Sequence, residues 1–595
     1  MISLHKYLFV GLAMICAASA TAQTLHQDIE VDQKLTVTQR DASPLTVLPE
    51  LALPPLAPAT LDYSARVVAT KVPNGVTILE PAAFDDPALS TSKRGYAAIG
   101  LFPRYNLGVS AGYRAVATRN TRLNIWAQYD GDLYRRDSWI GADGAARSEL
   151  WRDHAATAAL SLRHRLPRKR LLEAGASYLY GYHNQPGHLS TSSQGVGRAD
   201  ARVALSSLLG DMKWRLSADY TYFSFNSVKL PSIYQKPDEN LTVLPTSPVT
   251  QHHGRLGAAA ILPLGETSAF GVDFKGEMLS TSDHLSAYFP FGYNDHRYEF
   301  GSTAGLLRLT PYWRLSTPQF SLKAGVLVAA TINDGKAFHV APDVSIAWTP
   351  TALFALQARA YGGPTLNPVS GFYTQTPYLN PYSAYGQSNL PLVADLKLTL
   401  GSFMGFSLEA TAGYAKATDW LMPMQTSDTY GGLILSKTDL KGWRWDVALA
   451  YENGRNLDAK VSYGRTPGGV TNAWYADLDR ARSHVDASVG FRPFPALRVE
   501  AAYHLRTDRS TAITVMVPEI VIDPATNQPV TNHIPTLSRA SLGNAADLSV
   551  GASYQFTDAF TVFAQGRNLL NNSHLLLGGR PAQGVTALVG AQILF

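Results

Sequence analysis

The last eleven residues, Val585-Thr586-Ala587-Leu588-Val589-Gly590-Ala591-Gln592-Ile593-Leu594-Phe595, alternate a uniformly apolar set with a mixed one. Successive side chains of an extended chain point to opposite sides, so Val585, Ala587, Val589, Ala591, Ile593 and Phe595 share one face. The chain stops in mid-strand on an aromatic residue. An open sheet ending there would leave a row of unpaired backbone groups, whereas a sheet closed on itself pairs its final strand with its first and has no edge. The segment is read as the closing strand of a barrel, with Val589, Ala591, Ile593 and Phe595 as its C-terminal insertion signal.

From Gly95 onward the chain repeats the same grammar: about ten residues alternating apolar with polar or small ones, a turn, then another such run. Trp214, Leu216, Ala218, Tyr220 and Tyr222 share a face opposite Arg215, Ser217, Asp219 and Thr221. The split recurs at Leu172, Ala174, Ala176, Tyr178 and Tyr180. It recurs again where Leu497, Val499, Ala501, Tyr503 and Leu505 oppose Arg498, Glu500, His504 and Arg506. Alternation alone fits a soluble sandwich equally well. Connection lengths separate the two. Tight links at Pro167-Arg168-Lys169, Leu209-Gly210-Asp211, Gly265-Glu266, Thr317-Pro318, Thr349-Pro350-Thr351, Asn453-Gly454-Arg455, Phe494-Pro495 and Thr557-Asp558 alternate with long segments. The long segments lie near 133–152, 184–195, 226–249, 283–296, 364–389, 466–481, 508–543 and 571–583. Short periplasmic turns and extended outer loops alternate in this way in outer-membrane barrels.

With the C-terminus on the periplasmic side, that parity holds from end to end for 22 strands, provided Gly431 to Glu452 is one long strand. A break at Asp439-Leu440-Lys441 makes 23 and inverts everything upstream. The expected fold is therefore all-β, a 22-stranded antiparallel transmembrane barrel over residues 95–595, at about 23 residues per strand and connection. Charges line its lumen and aromatic residues face lipid.

Composition agrees. Of 595 residues, 46% are hydrophobic and 16% charged, with Gly 47, Tyr 29, Phe 22 and Trp 10, which excludes disorder, collagen and coiled coil. No run after residue 23 reaches the 18 or more apolar residues of a spanning helix. A formal net charge of +5, from 51 basic and 46 acidic residues, is too small and dispersed to imply a nucleic-acid partner.

Residues 1–23 read as a cleaved secretory signal: Lys6, an apolar run from Tyr7 to Ile15, then Ala20-Thr21-Ala22. Cys16, the single cysteine, directly follows Ile15 within the same signal segment, so the exported chain is expected to have neither disulfides nor thiolate metal ligands. The expected destination is the outer membrane of a Gram-negative cell, with its lipid as partner and the barrel-assembly machinery acting during insertion.

The stretch Phe563-Ala564-Gln565-Gly566-Arg567-Asn568-Leu569-Leu570-Asn571, with Gly578-Gly579-Arg580-Pro581-Ala582-Gln583-Gly584 and the strand to Phe595, resembles the closing hairpin of TonB-dependent outer-membrane receptors. Tyr361-Gly362-Gly363-Pro364 followed by Tyr378-Leu379-Asn380-Pro381 resembles a long outer loop of the same family. The resemblance implies 22 strands and a transport role. It fails at the other end, where the family carries a plug domain of well over a hundred residues. Here the 71 residues Thr24 to Arg94 include eight prolines, a composition for extended backbone, so residues 24–94 are expected to be a Pro-rich periplasmic segment without a full plug. Within it Ile29, Glu30 and Val31 form a short strand like the family's energy-coupling box, able to add to a partner's sheet edge, or else a solvated linker.

Catalytic signals are weak. Gly108-Val109-Ser110-Ala111-Gly112 matches a nucleophile pattern but lies inside an expected strand, without the sharp strand–turn–helix that the chemistry needs. His252 and His253 are adjacent, so in a strand they point to opposite faces and cannot chelate one ion together. No enzyme activity, cofactor or metal is expected. Aromatic residues crowd two outer loops, at Tyr288, Phe289, Phe291 and Tyr293 and at Phe372, Tyr373, Tyr378 and Tyr382, as ligand or partner contacts or as part of the interfacial girdle. The expected function is uptake of a nutrient across the outer membrane, with TonB or a surface lipoprotein as partner. The alternative is a plugless structural subunit of an outer-membrane complex such as the barrel-assembly machinery.

Overall fold

The computed structural model describes residues 93–595 except 103–105, 139–146, 186–191, 228–248, 282–285, 289–296, 300–302, 334, 374–385, 426–432, 455, 467–481, 523–528, 542 and 575–581. The signal segment, the Pro-rich segment and Ile29-Glu30-Val31 lie outside the described residues, as do Phe289, Phe291, Tyr293, Tyr378 and Tyr382.

Twenty-two strands form one antiparallel sheet closed on itself. Each barrel strand pairs with its neighbours along the chain, and the first, Gly95–Phe102, also pairs with the last, Thr586–Leu594, in the register Tyr96↔Leu594 to Leu101↔Val589. Phe595 completes the closure. Its carbonyl accepts from Arg94 N–H (2.6 Å) and Gly95 N–H (2.7 Å), and its own N–H donates to Gly95 O at 2.9 Å. No helix among the described residues is long and apolar enough to cross a membrane.

The faces follow the two-residue period. Leu216 (52% exposed), Tyr178 (51%) and Trp443 (64%) stand on the outer surface, while Thr221 and Phe223, one step out of phase, are buried inside. In water such an apolar exterior would aggregate; in a bilayer it is the solvated face. On the closing strand Val589, Ile593 and Phe595 are exposed outward and Leu588 is fully buried inward. Leu433–Glu452 is one continuous strand of 20 residues, which keeps the number even.

Two structural details modify the sequence reading. The turn expected at Thr349-Pro350-Thr351 lies two residues later, because the strand Phe338–Thr351 runs on and the chain reverses at Ala352 and Leu353. Its ladder slips between Trp348 and Thr351, and the slip accommodates Pro350, which has no N–H to donate. The long connections 282–302 and 508–543 contain hairpins of their own. Ser286–Tyr288 pairs with Arg297–Glu299, and Ser510–Ile522 with Pro529–Ser541, each as a two-stranded sheet separate from the barrel.

Candidate functional site

The inner wall is charged, and many of its charges are paired. Arg163 and Arg215 both reach Glu173, at 3.9 and 3.0 Å. Arg202 meets Asp219 at 3.4 Å, and Arg198 meets Asp200 at 2.8 Å. Lys323 meets Asp343 at 2.6 Å, and Lys397 meets Glu409 at 2.9 Å. Glu277, whose side chain is 10% exposed, takes two partners, Arg308 on one oxygen and His253 Nε2 (3.3 Å) on the other. Asp486 accepts from His504 Nδ1 (2.6 Å) and Arg506 (2.7 Å). Pairs half open to water are worth about 0–1 kcal/mol each. Their effect is to leave the wall polar, wettable and balanced in sign.

Some pairs join strands that are not neighbours. Gly413 lies in register between Asp395 and Arg444, so no side chain separates them and they meet at 2.6 Å. A Cβ on Gly413 would stand 2.9 Å from Arg444 Nε and closer still to the Asp395 carboxylate. Gly464 serves Asp446 and His484 likewise, at 3.0 Å. A glycine on the middle strand thus becomes the gap across which two outer strands are tied.

At the outer mouth a connection folds back against the wall. It carries the helix Val369–Tyr373, whose Val369 N–H donates to Gln251 Oε1 at 2.7 Å. Asn367 Nδ2 donates to Gly386 O (2.9 Å) and Ser388 Oγ (2.7 Å), closing the base of the connection. The Tyr373 ring lies 5.5 Å from Phe223 and 6.3 Å from His183, and its hydroxyl occupies the space that a side chain at Gly181 would fill. Phe223 packs edge-on against Phe225 at 5.1 Å. Burial of this order is worth about 1.5–3 kcal/mol per large side chain, so the helix is a seated part of the wall. Burial also pushes the ionisation of the Tyr373 phenol up.

Of the loop aromatics named from sequence, Phe372 and Tyr373 are in this helix, Phe372 buried and Tyr373 half-buried against the wall. Tyr288 ends the small hairpin strand Ser286–Tyr288. His252 and His253 do face opposite ways. His253 is buried inward on Glu277, and His252 lies outward, hydrogen-bonded to Tyr220 at 2.6 Å. Gly108-Val109-Ser110-Ala111-Gly112 sits in mid-strand, within Asn106–Ala117. The residues that seat the mouth helix, Gln251, His183, Phe223 and Phe225, escape sequence reading. The available signal is an aromatic pair on the polar phase of its strand, since Phe223 and Phe225 continue the series Ser217, Asp219, Thr221.

This fold is shared with solved structures of low sequence identity. The ferric enterobactin receptor of Pseudomonas aeruginosa is 12% identical with a TM-score of 0.58, over 84% of this chain and 80% of that one. A siderophore receptor of Acinetobacter baumannii is 9% identical with a TM-score of 0.59, over 84% and 80%. An iron transporter of Neisseria meningitidis is 12% identical with a TM-score of 0.57, over 85% and 82%. No protein-family model matches the chain, and no curated protein matches its sequence. At these identities the likeness is one of fold.

Proposed function

We propose that this chain is an outer-membrane receptor barrel that takes up a nutrient too large for a general pore. The observation that carries the proposal is the closed 22-stranded barrel with an apolar outside and an inner wall of paired charges. Such a wall offers a bulky polar solute many exchangeable hydrogen bonds and charges of which many are already compensated. Named as receptors and transporters of siderophores or iron, the structural neighbours make a ferric chelate the first cargo to test. Energy coupling is assigned to Ile29-Glu30-Val31 as an added strand on a periplasmic partner of TonB type.

The test is uptake of radiolabelled ferric chelates, and growth on them, in a deletion strain complemented with variants. Deletion abolishes uptake of the cognate chelate. Replacing Ile29, Glu30 and Val31 with prolines has the same effect while the amount of barrel in the membrane stays unchanged. Unaltered uptake of every chelate and of other large nutrients in the deletion strain overturns the reading.

A further inference from the structure

On the lipid-facing surface, the strands from Ser192–Leu209 to Thr303–Ser316 enclose a groove of about 580 Å³. Its walls are Val203, Tyr220, Leu256, Met278 and Leu307, all exposed, and its floor is Gly254 and Gly276. Gly254 stands in register between Tyr220 and Met278, and Gly276 between Leu256 and Leu307. Two glycines on adjacent strands therefore remove the side chains that would fill the middle of the surface. A Cβ built on Gly254 meets nothing within 4 Å, so the depression is open to the membrane.

One end of the groove is polar. Tyr220, in its wall, shares a hydrogen bond of 2.6 Å with His252 Nδ1, and the Tyr222 ring lies 5.3 Å from the imidazole. His252 is near the start of Val249–Pro263, a strand that descends from a long connection to a tight turn. The 11 steps from His252 to Pro263 span roughly 36 Å along the strand, or ~25 Å across the bilayer at a tilt of about 45°. That is the height of the apolar band, so His252 stands at the outer headgroup level.

We propose that this groove seats an acyl chain of the phosphorylated glycolipid of the outer leaflet, with a headgroup phosphate held by His252. With the Tyr220 hydroxyl donating to Nδ1, Nε2 carries the ring proton and donates to a phosphate oxygen. Bulk lipid is as apolar as the groove, so the chain gains shape fit rather than hydrophobic free energy, and the phosphate contact fixes its position. The inference rests on the outer-membrane placement proposed above and is independent of the cargo.

The full-length barrel, purified from native membranes in mild detergent, is examined by native mass spectrometry for retained lipid. The wild type retains the glycolipid. Gly254→Leu, which fills open space, cuts the retained fraction about fivefold or more, the loss of roughly 1 kcal/mol, and His252→Gln cuts it less. Normal folding of both variants is checked by resistance to SDS before boiling. Equal retention in a folded Gly254→Leu barrel, or a phospholipid in place of the glycolipid, overturns the proposal. Unaltered chelate uptake in the deletion strain, with the glycolipid still bound to the purified barrel, tells against the cargo reading and leaves this one standing.

Discussion

The closing seam and the wall formed by strands 249–263, 268–281 and 303–316 are built by the same backbone ladder and share ring-over-glycine packing, Tyr312 over Gly271 in the wall, yet only the wall carries a cluster of charges. Inside the seam Phe563 fills the space at Gly590, Leu588 packs over Gly100, and Tyr96 covers Gly112. Arg255, Asp273, Lys275, Glu277 and Arg308 occupy the matching phase of the other wall. The seam joins strands from opposite ends of the chain, whereas the ionic wall joins strands that follow one another. A charge on a seam strand would wait without its partner until closure, at a cost of a few kcal/mol inside a bilayer. A charge on a hairpin finds its partner as soon as the hairpin forms. Knob-and-gap packing needs no such timing, because a ring or a glycine is tolerated in lipid before the barrel shuts.

Three substitutions can break or sharpen that contrast. The largest effect is expected at the seam itself. A Cβ on Gly590 would run into the Ile99 carbonyl oxygen and the Phe563 ring, and backbone cannot move aside as a side chain can. Gly590→Val should cost about 3 kcal/mol and deplete the SDS-resistant folded form; a fully assembled variant would show that the seam tolerates looser packing than described. On the ionic wall, Glu277→Ala leaves Arg308 and His253 facing each other with no carboxylate between them. An expected loss of about 2 kcal/mol, allowing for water in the lumen, would lower the urea midpoint in liposomes without reducing assembly. Equal losses of assembled barrel from Gly590→Val and Glu277→Ala would erase the distinction. Smallest is Gly413→Ala, which pushes Asp395 and Arg444 apart at a site where Arg444 is half exposed. The change in stability should be no more than about 1 kcal/mol, and it should shrink further when added salt screens the pair.

Much of the barrel is legible in the sequence. The phase of Trp214, Leu216, Ala218 and Tyr220 against Arg215, Ser217 and Asp219 depends on nothing beyond the pleat and the two solvents. The even number of strands follows from turn chemistry and from 431–452 forming one strand, as the continuous Leu433–Glu452 does. His252 and His253 could be assigned to opposite faces from adjacency alone, though not to Tyr220 and Glu277. The end of Phe338–Thr351 is not legible in this way, because Pro350 has the signature of a turn residue while a slip in the ladder carries it inside the strand.

What the sequence determined by itself was therefore everything governed by nearest neighbours along the chain: the strand period, the lipid-facing and lumen-facing sets, the tight turns, and a terminal strand that needed a partner. Those features follow from a backbone that must satisfy its hydrogen bonds without water, and each can be read within about ten residues. Only the tertiary structure decided which charges meet across Gly413 and Gly464, that Val369–Tyr373 seats on Gln251 and Phe223, and that Gly254 and Gly276 open one groove. These depend on the register between strands dozens of residues apart, and a one-residue slip in that register would move every such contact to the other face of the sheet.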